Sequence, residues 1–205
     1  MHIELTEMLR CPELHPEGHL VLSTGEMRGR MVRSGLLACP TCGREYRVER
    51  GIVNFSGSGE REPGPSPPSR SGVPAHPVEP ESLQALLDLG GPGGYVVLLG
   101  TATRHAVGLS GLMGGIHFVG VNAPSDLEEL PVLSLLDCKT MIPLRQTVGR
   151  AVVVGADYLG IEWLAEARRV VLPGRRVVIE SDQITAPAGL TSLAREQGLF
   201  VGERS

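Results

Sequence analysis

The stretch from Tyr95 to Ala106, Tyr-Val-Val-Leu-Leu-Gly-Thr-Ala-Thr-Arg-His-Ala, sets the tightest limit on what this chain can become. The apolar run Tyr95 to Leu99 meets a glycine at Gly100, and a short polar segment then opens into a helix-compatible run. A buried parallel strand feeding a helix N-terminus reads this way. In open α/β sheets such a turn forms the crevice that takes a nucleotide-like ligand.

The residues around it extend the pattern. Glu81 to Gly90 reads as a short helix closed by Gly90. Thr103 to Met113 follows as a crossover helix, His117 to Val121 as a second strand and Asp126 to Leu130 as a helical turn or two. Val132 to Leu136 and Ala151 to Gly155 read as strands three and four. Ile161 to Leu172 is a helix broken by Pro173-Gly174, and Val177 to Glu180 is strand five. Leu190 to Gln197 reads as a helix and Leu199 to Gly202 as a last short strand. Residues 81–205 therefore predict an α/β unit, a Rossmann-like, mostly parallel sheet with helices on both faces. Aromatics are 3% of the chain against 41% hydrophobic residues, so its core must be aliphatic.

Residues 1–55 are a different kind of sequence. They carry Cys11-Pro-Glu-Leu-His15, β signals at Leu20 to Ser23 and Gly35 to Ala38, and then Cys39-Pro-Thr-Cys42-Gly43. A Cys-x-x-Cys turn followed by glycine lets two thiolates point at one ion. Zinc needs four ligands for a closed structural site. Cys11 is the third, and the fourth is His15 or its rival His19. The reading is a zinc ribbon with a structural ion, because so polar a segment has little core of its own. Plain buried thiols and a redox Cys-x-x-Cys are the alternatives. Residues 56–80 hold 7 Pro, 5 Ser and 4 Gly and read as a linker.

Charge and targeting signals narrow the functions. The net charge of −4 gives no general pull toward nucleic acid. Arg28, Arg30 and Arg33 cluster in the ribbon and keep a nucleic-acid surface open as a reading that is not favoured. No apolar run is long enough for a membrane span and no signal peptide is visible, so a cytoplasmic location is the default expectation. In a reducing compartment the cysteines favour metal or free thiols over disulfides.

Two resemblances add to this. Met8-Leu-Arg-Cys-Pro and Leu36-Leu-Ala-Cys-Pro-Thr-Cys-Gly-Arg-Glu-Tyr-Arg-Val-Glu-Arg-Gly-Ile-Val-Asn-Phe55 resemble the small zinc-ribbon activator subunits of tRNA and release-factor methyltransferases. That family usually places a second cysteine where this chain has Leu14. Trp163-Leu-Ala-Glu-Ala-Arg-Arg-Val-Val-Leu-Pro-Gly-Arg-Arg-Val-Val-Ile179 is similar to the segment ahead of strand five in class I S-adenosylmethionine-dependent methyltransferases. Asp137 with Pro143-Leu144, and Ala194 to Val201, resemble that family's post-strand-three and closing segments.

The second resemblance implies a cofactor loop at Gly100 and Thr101, with contacts from Asn122 and Asp137. The loop departs from the family's Asp/Glu-x-Gly-x-Gly-x-Gly. Leu98 stands at the acidic position, Ala102 and Arg104 replace glycines, and Asn122 replaces the ribose-binding acid. Arg104 and His105 either favour an anionic ligand or face solvent. Cys138 reads as a buried small hydrophobe and His117 as a packed residue. Asp157-Tyr158 are candidates to face a substrate. That family usually closes with an antiparallel pair, and only about 26 residues follow Ile179, so the substrate side of the pocket is expected to be incomplete. The leading expectation is a non-catalytic binding, scaffold or regulatory subunit that binds S-adenosylmethionine weakly or not at all. An active methyltransferase with a divergent pocket and a zinc-ribbon nucleic-acid binder are the alternatives. A protein partner or a homo-oligomer is expected, unless the ribbon docks in cis and covers Ile52, Val53 and Phe55.

Overall fold

A computed structural model describes residues 1–56, 78–128 and 130–205. Most of the expected linker, 57–77, lies outside these described residues. The N-terminal unit starts with a 3-10 helix, Ile3–Met8, and continues as short strands: β1 (Val21–Thr24), β2 (Met27–Arg28), β3 (Met31–Val32), β4 (Gly35–Ala38), β5 (Glu45–Glu49) and β6 (Ile52–Asn54). β5 has the period-two pattern of a half-buried strand: Tyr46 and Val48 are buried, and Glu45, Arg47 and Glu49 are exposed. Arg50 and Gly51, both with positive φ, close a two-residue hairpin between β5 and β6.

The second unit contains α1 (Pro80–Leu87), β7 (Tyr95–Leu99), a 3-10 turn (Gly100–Arg104), α2 (His105–Leu112), β8 (His117–Val121), β9 (Leu133–Asp137), β10 (Gly149–Val154), α3 (Ile161–Val170), β11 (Val171–Ile179), β12 (Leu190–Glu196) and β13 (Leu199–Arg204). Among the described residues one sheet runs β1-β4-β5-β6-β9-β8-β7-β10-β11-β13-β12. From β6 to β11 every neighbouring pair is parallel. β13 then enters antiparallel between β11 and β12. Strand alternation splits the core. Val96, Leu98, Val153 and Val178 face α1 and α2, while Val97, Leu99, Val152 and Ile179 face α3 and the N-terminal unit. The expected α/β, mostly parallel sheet with helices on both faces is present.

Several boundaries differ from the sequence reading. Leu190–Glu196 is a strand, not a helix, because Gln197 and Gly198, both at positive φ, fold it back onto β13. That hairpin forms a closing antiparallel pair at this end of the sheet. α1 stops at Leu87, with Asp88 in the left-handed conformation, ahead of Gly90. α3 stops at Val170, and Pro173-Gly174 sit in an irregular part of β11 instead of ending a helix. Where a helical turn was expected from Asp126, the chain makes a tighter turn, with Leu127 N–H donating to the Pro124 carbonyl.

The two units share the sheet. β6 pairs in parallel with β9, matching Ile52 to Leu135, Val53 to Leu136 and Asn54 to Asp137. Phe55 N–H continues the ladder to the Asp137 carbonyl at 2.7 Å. Val53 is 0% exposed and Phe55 6%, and burying such a side chain is worth roughly 1.5–3 kcal/mol. Further along the join, Arg10 N–H donates to the Pro143 carbonyl and Arg145 N–H to that of Met8. The N-terminal unit is thus docked in cis, the case in which its own chain covers Ile52, Val53 and Phe55.

Candidate functional site

The N-terminal unit gathers Cys11, His15, Cys39 and Cys42, whose candidate ligand atoms all lie within 4.8 Å of one another. The Cys39–Gly43 turn is a backbone product: Gly43 N–H returns to the Cys39 carbonyl and Gly43 takes φ +71. The distances suit a tetrahedral ion. Zinc–sulfur bonds of about 2.3 Å put two ligand sulfurs about 3.8 Å apart and a sulfur–nitrogen pair about 3.6 Å apart. Cys11 Sγ to Cys42 Sγ is 3.7 Å, and Cys39 Sγ to His15 Nε2 is 3.4 Å.

Neighbouring groups favour the same arrangement. His15 Nδ1 is 2.7 Å from the Pro16 carbonyl, so Nδ1–H can donate there and leave the Nε2 lone pair for a metal. The Tyr46 hydroxyl is 2.9 Å from Cys11 Sγ and is placed to donate to a thiolate. Burial and the Cys11 sulfur push the Tyr46 hydroxyl up, which keeps its proton in place. Burial pushes the Cys11 thiol up to about 11. At Cys39 burial is outweighed by the backbone N–H groups of Cys42 and Thr41, and the thiol comes down to about 7. His19 lies elsewhere, 3.5 Å from Arg145.

The second candidate is the crevice at the carboxyl ends of β7, β8 and β9. The register aligns Leu99 with Val121 and Val121 with Leu136. Gly100, Asn122 and Asp137 therefore follow in neighbouring positions, at the point where strand order reverses between β7 and β10. The predicted residues come together, and Thr101 and Asn122 are already hydrogen-bonded within the chain. The Asp157 carboxylate takes the Thr101 N–H at 3.0 and 3.2 Å and the Thr101 hydroxyl at 2.7 Å. Gly100 has φ +63, and a Cβ there would stand 2.4 Å from Tyr158 Cδ2 and 2.5 Å from Asp157 Oδ1. Asn122, at φ 53, accepts the Cys138 N–H at 2.7 Å on its side-chain oxygen. Asp137 borders the N-terminal unit through Asn54 and Phe55. Tyr158 is 3% exposed, packs edge-on against Trp163, hydrogen-bonds with Asn122, and is pushed by burial up to about 12.

Arg104 turns outward into a two-pronged pair with Asp126, 2.9 Å on each arm. It therefore does not stand in the crevice, as the loop alignment had implied. Leu98 and Ala102 are buried in the core facing α1 and α2. His105 corrects the solvent-facing reading: its Nε2 meets buried Glu180 at 2.6 Å. His117 is packed as expected, with Nε2 2.8 Å from the buried Ser134 hydroxyl. Arg28 is paired with Glu26 and Arg30 with Glu4, so these two ribbon arginines have their charge locally offset. The sequence placed Asp157 beside the crevice by position. It gave no sign that this carboxylate would accept from Thr101, because the contact joins residues 56 positions apart.

No protein-family profile matches the chain, and neither does any curated protein. Among solved structures it is similar to geranyl diphosphate C-methyltransferase from Streptomyces coelicolor A3(2), in complex with Mg2+, geranyl-S-thiolodiphosphate and S-adenosyl-L-homocysteine. That match has 18% identity over 49% of this chain and 41% of that one, with TM-score 0.42. It is also similar to the complex between the Haloferax volcanii Trm112 methyltransferase activator and the putative methyltransferase (21%, 49% and 50%, TM-score 0.40). A third likeness is to a SAM-dependent methyltransferase from Aquifex aeolicus (16%, 62% and 88%, TM-score 0.45). The chain spans half or less of the first two. The fold assignment rests on the strand order itself: a parallel sheet with one antiparallel strand inserted next to its end. No helix among the described residues is long and apolar enough to cross a membrane.

Proposed function

We propose that this chain is a zinc-binding, methyltransferase-fold protein that acts through binding, as a scaffold or regulatory subunit, with its cofactor crevice closed by its own side chains. The observation that carries this reading is the Asp157 carboxylate on the Thr101 N–H and hydroxyl. Backbone donors at such a turn are where a ligand's anionic group would be received. Here an internal carboxylate takes the Thr101 N–H, and the Tyr158 ring stands against Gly100. Cys11, His15, Cys39 and Cys42 would hold one zinc ion, which with four protein ligands supplies structure and has no open position for chemistry. The ion would fix the Cys39–Gly43 turn beside β4 and β5, and so steady the strands that extend the sheet to β9.

A ligand entering the crevice has to displace Asp157. Charge-assisted hydrogen bonds are worth about 1.5–3 kcal/mol each, so giving up two of them weakens binding by roughly a hundred- to ten-thousandfold. The test is to titrate the wild type and Asp157→Ala with S-adenosylhomocysteine. A gain of tenfold or more in the variant is expected. Equal affinities would remove the basis of the reading.

A second reading, an active methyltransferase with a divergent pocket, is favoured by one observation: Arg104 is held away from the crevice by Asp126. Under that reading the wild type binds S-adenosylmethionine tightly and Asp157→Ala loses affinity instead of gaining it.

A further inference from the structure

A cleft of about 390 Å³ opens where the N-terminal unit meets the loop leading into β10, lined by Glu7, Met8, Glu17, His19, Arg145 and Thr147 among others. It lies toward the amino end of β10, whereas Asp157 and the crevice follow the carboxyl end. The volume is within the range of about 300–1,000 Å³ typical of small-ligand sites.

Its charges face one another without closing. The Arg145 guanidinium has His19 Nδ1 at 3.5 Å and forms no ion pair among the described residues, although two carboxylates line the same cleft. Glu17 leans toward Arg10 at 3.9 Å. Glu7 is exposed and makes no ion pair among the described residues. The lining sets Arg145 against Glu7 and Glu17, with Arg10 reaching Glu17 from beside it, so the wall presents two separated poles of opposite charge. Thr147, a β-branched residue, sits at φ 54 on this wall, held by its N–H to the Arg169 carbonyl at 3.1 Å. Such a conformation is uncommon for a β-branched residue and recurs at ligand sites.

We propose that this cleft binds a small zwitterion of the α-amino-acid class, its carboxylate on Arg145 and His19 and its ammonium toward Glu7 and Glu17. A simple anion such as phosphate would meet the two carboxylates, and a simple cation would meet Arg145. A neutral molecule with both charges satisfies both poles.

The full chain is titrated by calorimetry with each of the common L-α-amino acids. The best binder is then compared with its decarboxylated amine and its des-amino acid. At least one amino acid is expected to bind, with both single-charge analogues weaker by about tenfold or more. Arg145→Gln should lose about tenfold as well, while Arg47→Gln, on the exposed face of β5, should leave binding unchanged. If Arg145→Gln fails to fold, Glu7→Gln replaces it, with the same loss expected. Absence of saturation by any amino acid at millimolar concentration overturns the proposal, and so does a des-amino acid that binds as well as its parent. S-adenosylhomocysteine ends in the same group, so Asp157→Ala and Arg145→Gln separate binding in the crevice from binding in this cleft.

Discussion

Replacing Gly100 by alanine tests the closed crevice without any ligand. Two terms add. Gly100 has φ +63, and a residue with a Cβ costs about 1–2 kcal/mol in that region. The new methyl would also stand 2.4 Å from Tyr158 Cδ2 and 2.5–2.6 Å from the two Asp157 oxygens, and overpacking of this kind costs about 1–3 kcal/mol. Gly100→Ala should therefore destabilise the protein by about 2–5 kcal/mol, or roughly 4–20 °C in melting temperature for a chain of this size. Gly174→Ala is the control. Its φ is +67, but nothing lies within 4 Å of the added Cβ, so only the backbone term of about 1–2 kcal/mol remains. Urea unfolding of both variants, read by circular dichroism, isolates the contact with Asp157 and Tyr158 as the difference. Equal destabilisation of the two would mean that those side chains do not occupy the glycine turn.

Metal analysis of the purified chain should give one zinc per molecule. Cys39→Ser and His15→Ala should lose it while His19→Ala retains it, and full zinc content in Cys39→Ser would refute the assignment. His117 contributes a pH dependence: burial, then His2 and the chain's amino group, lower its pKa from 6.5 to about 4. The unfolded chain then binds more protons between those values, so stability is complete above about pH 6.5 and falls toward pH 4. His117→Gln should flatten that slope in a pH series of urea midpoints, and an unchanged slope would contradict the burial argument. Val53→Asp, which puts a charge into the ladder between β6 and β9, should cost more than about 3 kcal/mol, and a shift of under about 1 kcal/mol would contradict the cis docking.

What the sequence revealed followed from how local each signal is. The strands at 95–99 and 117–121 were legible to the residue, because a buried parallel strand is a continuous apolar run with a glycine or polar stop. The Cys/His cluster was legible because Cys39 and Cys42 share one turn, and the third dimension places His15 within it and His19 outside. The hairpin of β12 and β13 was missed. Leu190–Glu196 has ordinary helix formers, and the deciding feature is the positive φ of Gln197 and Gly198. The contact between Asp157 and Thr101 was also out of reach. Position marked Asp157 and Tyr158 as crevice residues, but whether a carboxylate points at solvent, at substrate or at the Thr101 amide depends on the packing of α3 and Trp163. Arg104 and His105 are adjacent in sequence and point to different partners, Asp126 and Glu180, which a linear reading treats alike.

The central claim is that the protein's own carboxylate occupies the place where a cofactor's anionic group would sit. The most direct test is calorimetric titration with S-adenosylhomocysteine of the Arg145→Gln chain, whose crevice is unaltered and whose distant cleft is silenced. The account predicts a dissociation constant weaker than roughly 100 μM, or no measurable heat. A dissociation constant in the low micromolar range would contradict it.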